Sequence, residues 1–195
     1  DHVLRVIGCT HELYILWKKS GADMSGYTLE ELMFAAMHHD LGKIGFPGDG
    51  NEVYQVETSD WHRKNMGRMY KHNENIPFSM VPDLSVWLLQ KYEIPMSWNE
   101  YQAIKIHDGM YDDSNKPYFV ARSAQAKLKT NMAIILHHGD HMAAQIEYER
   151  WKNHKAGTPT KVSEKSKETK STAIKNLAEN NPNMGASIAD IFKDI

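Results

Sequence analysis

The sequence predicts an all-α domain over about residues 1–154, followed by a polar, flexible tail over 155–195. Apolar residues recur at helical spacing, as at Val3, Val6, Ile7, Leu13, Leu16 and Trp17. Two capping boxes, Thr28-Leu29-Glu30-Glu31 and Ser97-Trp98-Asn99-Glu100, mark helix starts. No segment alternates apolar and polar residues long enough to read as a strand.

The first helix is expected over Val3 to Lys19 and is closed by Ser20-Gly21-Ala22-Asp23. Thr28 opens a second, which carries Leu32, Phe34, Ala35, Ala36 and Met37 to His39-Asp40. Gly42, Gly45, Pro47, Gly48 and Gly50 then break the chain. A third helix is expected over Asp60 to Lys71, a turn over Asn73 to Pro77, and a fourth helix from Pro82-Asp83 through Leu88, Leu89 and Tyr92. Ser97 opens a fifth to about Ile106, Gly109 to Pro117 reads as a loop, and a long helix is expected over Ala121 to Lys152. Lys155 to Thr172 has almost no large apolar residue and reads as a solvated linker. Ile174, Leu177, Ile188, Ile191, Phe192 and Ile195 leave two readings open, a frayed terminus (favoured) or a short amphipathic docking helix.

Composition bounds the function. The chain has 195 residues, 41% of them hydrophobic, enough to bury a core. A net charge of -2 gives no broad basic surface, so no duplex nucleic acid is expected as a partner. No apolar run approaches the roughly 18 residues of a membrane span, so no membrane is expected. Asp1-His2-Val3 is not a signal peptide and has no initiator Met, so the natural start is expected upstream and the location cytoplasmic. Eleven histidines stand against one cysteine. That excludes a disulfide framework and a Cys-rich zinc module, and leaves an imidazole and carboxylate metal site open.

The sharpest local feature is His38-His39-Asp40-Leu41-Gly42-Lys43. Adjacent His and Asp at a helix end can converge on one ion, and the glycine after them lets another chain or a substrate approach. His11 lies on the preceding helix; its alternative is a satisfied core histidine. Far along the chain, Asp140 falls on or beside the stripe Leu128, Met132, Leu136, Ala143 and Ile146. A carboxylate there is costly unless paired or metal-bound. Gly139 beside it weakens the helix and implies close packing.

The order His11, His39-Asp40, Asp140 resembles the HD-domain superfamily of metal-dependent phosphohydrolases, over about residues 2–150. The resemblance implies an HD-type helical bundle in which these four residues bind a divalent ion. Some similar proteins hold two metals through extra histidines; His62, in Trp61-His62-Arg63-Lys64-Asn65-Met66-Gly67, and His107, in Ile106-His107-Asp108-Gly109, are the candidates. The Gly-Tyr-Pro signature of the cyclic-dinucleotide branch is missing near His107, and His107 to Tyr118 looks more like HD proteins carried by bacteriophages. A phage origin would place the protein in the host cytoplasm.

The resemblance implies hydrolysis of a small phosphate ester or diester, a nucleotide favoured, by a metal-activated water. Asp40 and Asp140 would hold the ion and help take the proton, while Lys43 would face the phosphate. One or two ions from Mn, Fe, Co, Ni or Zn suit such ligands. Arg63, Lys64, Lys105 and Lys116 are weaker candidates for substrate contacts. Two alternatives stay open: a diiron oxygenase acting on a small alcohol or phosphonate, and a metal-stabilised binding module. His138 or His141 are expected beside the ligands, and His2, His72 and His154 on the surface. Trp17, Trp87, Trp98, Trp151 and Cys9 are assigned to the core rather than to chemistry.

Overall fold

In the computed structural model the described residues are 2–156 apart from 121, 122, 124 and 126, with side chains described through 153. Residues up to Trp151 form one compact unit. The polar linker and C-terminal segment expected after Ala156 lie outside the described residues.

The protein is mostly helical, and each helix end has a local cause. Helix α1 spans His2–Lys19. Gly21, at φ +88°, ends it. The Ala22 N–H reaches the Trp17 carbonyl at 3.0 Å and the Gly21 N–H the Lys18 carbonyl at 3.1 Å, a Schellman closure. Helix α2 spans Leu29–His38, opened by the reciprocal Thr28 and Glu31 bonds of the expected capping box. Helices α3 (Asp60–Asn65), α4 (Val81–Lys91), α5 (Trp98–Lys105), α6 (Lys116–Phe119) and α7 (Met132–Ala156) follow. Ser97 caps α5 with the second box.

Several expectations are corrected. The helix expected over Asp60 to Lys71 stops at Asn65, because Gly67 takes a left-handed φ of +63° and turns the chain back. The residues that follow form a strand. Strand β1 (Tyr54–Val56) pairs antiparallel with β2 (Tyr70–His72), in the register Tyr54 to His72 and Val56 to Tyr70. Three residues per strand are too few for alternation to reveal. The long helix begins at Met132, not Ala121; Asn131 ahead of it is tied to the α1–α2 loop by Tyr27 Oη at 2.7 Å and the Asp23 carbonyl at 3.0 Å. The loop expected over Gly109 to Pro117 holds two 3-10 turns and the start of α6.

The core unites α1, α2, α4, α5 and α7 through Val6, Leu32, Leu89, Ile104, Ile135 and Leu136. Cys9 is buried in it and Trp17 packs on it, whereas Trp87, Trp98 and Trp151 are exposed, against expectation. A smaller cluster of Val53, Leu84 and Leu88 seats the hairpin on α4. Two glycines permit the close crossings that place the site. A Cβ on Gly139 would stand 2.1 Å from Thr10 Oγ1, so α7 meets α1 without a side chain between them. A Cβ on Gly42 would stand 2.3 Å from the Val81 carbonyl, so the turn after α2 lies against α4.

Candidate metal centre

His39 is the C-cap residue of α2 and is wholly buried. Its Nδ1–H donates to the Ala36 carbonyl at 2.8 Å. A neutral ring held that way presents a bare lone pair at Nε2. This buried Nε2 has no hydrogen-bond partner. His107 repeats the device just past α5: its Nδ1 donates to the Ile104 carbonyl at 2.8 Å, and the ring is buried. The two rings meet edge to face, with centroids 4.8 Å apart.

Carboxylates and a third imidazole complete the cluster. His39 Nε2 lies 3.3 Å from Asp40 Oδ2 and 3.7 Å from Asp140 Oδ1. His2 Nε2 lies 3.1 Å from Asp140 Oδ1 and 3.7 Å from Asp40 Oδ2. His107 Nε2 lies 3.9 Å from Asp40 Oδ1. Among the described residues, His2, His39 and Asp40 form one group, and His39, His107 and Asp140 another, with ligand atoms all within 4.8 Å of one another. Two ligands about 2.1 Å from a common ion, at tetrahedral or octahedral angles, stand roughly 3.0–3.4 Å apart. His39 Nε2 is within that range of Asp40 and slightly beyond it from Asp140, and both spacings are longer than most direct hydrogen bonds. An orphaned buried imidazole nitrogen facing two carboxylates fits a divalent transition metal.

Burial would raise the Asp40 carboxyl, but His39 and Lys43 beside it override this and hold it well below the usual carboxylate range. Burial also acts against ionisation of Asp140, and the hydrogen bond from His2 leads the effects that lower it. Burial, then the neighbouring His39, pushes His107 down, which keeps it neutral and able to ligate. His2 is raised, first by its hydrogen bond to Asp140. Behind it, His2 Nδ1 reaches Glu147 Oε2 at 3.0 Å, and Glu147 Oε1 accepts from Arg5 Nε at 3.0 Å. Such an outer carboxylate fixes the orientation of a ligating imidazole.

No family model, curated protein or solved structure matches the chain.

Of the residues singled out in the sequence, His39, Asp40, His107 and Asp140 come together here, with Lys43 Nζ 2.5 Å from Asp40 Oδ2. His11 does not join them, and the first-helix imidazole in the cluster is His2. The two are nine residues apart on α1, which puts them on opposite faces of the helix at 100° per residue. His11 is buried near Gly139's neighbour Thr10, with Glu12 Oε1 3.9 Å from its Nδ1. Asp140 and Glu147, two turns apart on one face of α7, were a signal for His2, since both bind it. His62 also stays apart, on α3, with Nδ1 3.9 Å from Glu57 Oε2. The hairpin instead brings His72 to the cavity beside the cluster, and no feature of the linear pattern announced this. Neither His138 nor His141 supports a ligand directly; His137 does, its Nδ1 donating to the His107 carbonyl at 2.7 Å.

The cavity beside the cluster has a volume of about 300 Å³, and Asp40, Lys43, His107, Asp108 and Asp140 form its polar part. Of the other expected cations, Lys105 is paired with Asp83 at 2.5 Å. No described helix is long and apolar enough to cross a membrane.

Proposed function

We propose that this chain is an HD-type metal-dependent phosphohydrolase acting on a small phosphate ester or diester, nucleotides included. One observation carries the reading: His39 and His107, each locked through Nδ1 to its own helix end, point bare Nε2 atoms toward Asp40 and Asp140. His2, His39, Asp40, His107 and Asp140 would hold the ion. An imidazole and carboxylate set suits Mn, Fe, Co, Ni or Zn. When bound, a divalent ion supplies Lewis acidity toward a phosphoryl oxygen and a water whose pKa falls toward neutrality. The chain's own residues do the rest. Asp40 and Asp140, both held below the usual carboxylate range, would be the carboxylates to take the water's proton. Lys43 lines the cavity beside Asp40 and offsets negative charge as it builds on the phosphoryl oxygens.

The oxygenase reading calls for six ligands around two irons. Of His11, His39, Asp40, His62, His107 and Asp140, both His11 and His62 stand away from the cluster; His2 takes the place of His11, and among the described residues none takes that of His62, which favours hydrolysis. The test is a panel of nucleoside monophosphates, triphosphates and cyclic nucleotides with Mn or Fe, alongside metal counting and O2 uptake. Metal-dependent phosphate release, abolished by Asp40→Ala, is expected. Two irons per chain with O2 consumption and no phosphate release would overturn the proposal in favour of the oxygenase.

A further inference from the structure

The cavity beside the cluster has two chemically different ends. One is ionic: Asp40, Lys43, His107, Asp108 and Asp140. The other is aromatic: Tyr54, His72 and Phe78. The strand register builds this second end, since Tyr54 pairs directly with His72 and their rings meet edge to face at 6.0 Å. Phe78 follows β2 and lies against His72, with centroids 5.6 Å apart and ring planes 38° apart. His72 is thus the middle ring of three.

Phe78 is 77% exposed and Tyr54 45% exposed. Two large rings left in water at the mouth of a cavity are a surface that a ligand would cover. Phe78 also walls a neighbouring cavity of about 410 Å³ with Phe46 and Trp87, so the aromatic surface continues past it. The main cavity, at about 300 Å³, is at the small end of ligand sites, room for a phosphate and one compact organic group. An ion held at the carboxylate end would receive an anion, and with ring faces at the other end the cavity calls for a ligand with the same division.

We propose that Tyr54, His72 and Phe78 form a ring-binding subsite that makes the chain selective for phosphate esters carrying a flat aromatic or heteroaromatic group. The phosphate end rests on the metal-dependent hydrolysis proposed above; the ring end does not need the metal.

The experiment compares 2-phenylethyl, 2-cyclohexylethyl and n-propyl phosphates, alcohols of similar leaving ability, on the Mn-loaded full chain. Phosphate release should favour the flat ring over the puckered one and over n-propyl. The ratio of kcat/KM for the phenylethyl ester to that for n-propyl should fall about tenfold in Phe78→Ala, the size of one stacking contact, with most of the change in KM. Tyr54→Ala should move it the same way. Phe78 is exposed, so its truncation leaves the core intact, which a thermal melt verifies. A second measurement separates this proposal from hydrolysis: calorimetric binding of 2-phenylethanol, which carries the ring and no anionic group, to the chain in chelator. Turnover of all three esters with a ratio unmoved by Phe78→Ala and Tyr54→Ala would overturn the subsite and leave hydrolysis standing. No turnover of any ester, with 2-phenylethanol binding weakened by Phe78→Ala, would overturn hydrolysis and uphold the subsite, and no binding of 2-phenylethanol would overturn the subsite.

Discussion

Replacing Glu147 by alanine should weaken metal binding without unfolding the protein. Glu147 Oε2 holds His2 Nδ1 at 3.0 Å, and its other oxygen takes Arg5 Nε at 3.0 Å. The Glu147 side chain is 33% exposed and that of Arg5 25%, so their ion pair is solvent-screened and contributes about 0–1 kcal/mol to the fold. For a chain of this size that is a Tm change of roughly 2–4 °C at most. The effect on the ion is larger. Removing the carboxylate that orients a ligating imidazole costs about 10- to 100-fold in affinity. Without Glu147, His2 loses its anchor at Nδ1 and keeps only the contact of its Nε2 with Asp140. The assay is competition for Mn or Zn against a chelating indicator, with melts in chelator as the stability control. A double-mutant cycle decides the route. If Glu147 acts through His2, then Glu147→Ala in a His2→Ala background should change Kd less than twofold. His11→Ala should lower Tm and leave Kd in place. A wild-type Kd in both Glu147→Ala and His2→Ala would refute the placement of His2 among the ligands, and a loss of affinity in His11→Ala would restore that residue to the site.

Two further outcomes follow from the same geometry. In chelator, the His2–Asp140 pair should give stability a limited pH window. Asp140 is depressed from 3.8, so its contribution is present above that value and lost as pH falls through the lower folded pKa; His2 is raised from 6.5, so its contribution is present below that value and lost as pH rises through the higher folded pKa. Melts of wild type should therefore show the pair's contribution between about pH 4 and 6.5, and His2→Ala should flatten the alkaline decline; the same decline in both proteins would refute the pairing. Gly139→Ala would put a Cβ 2.1 Å from Thr10 Oγ1 and 3.0 Å from Thr10 Cα, a clash in which backbone as well as side chain must shift. Overpacking of this kind costs about 1–3 kcal/mol, so a denaturant midpoint equal to wild type would refute the close crossing of α1 and α7.

The helix starts were legible because their causes are local. Thr28 and Ser97 each satisfy N–H groups within their own first turn, and Gly21 closes α1 within six residues, whatever the rest of the chain does. His39-Asp40 and Asp140 were legible for a related reason: a helix end followed by Gly42, and an acid on an apolar stripe beside Gly139, are visible in spacing alone. His107 belongs with them, since it ends its helix as His39 does, each ring bonded to the carbonyl three residues back.

Sequence by itself thus determined a helical domain and most of an imidazole and carboxylate cluster. Tertiary structure decided which histidines complete it. Whether His2 or His11 reaches Asp140 depends on the face that α1 turns toward α7, and that face is set by the crossing at Gly139. Whether His62 or His72 comes to the cavity depends on two three-residue strands pairing across the intervening α3. Helical phase and caps are short-range and written along the chain. The rotation of one helix against another, and the closing of a hairpin over a cavity, arise from packing between residues distant in sequence.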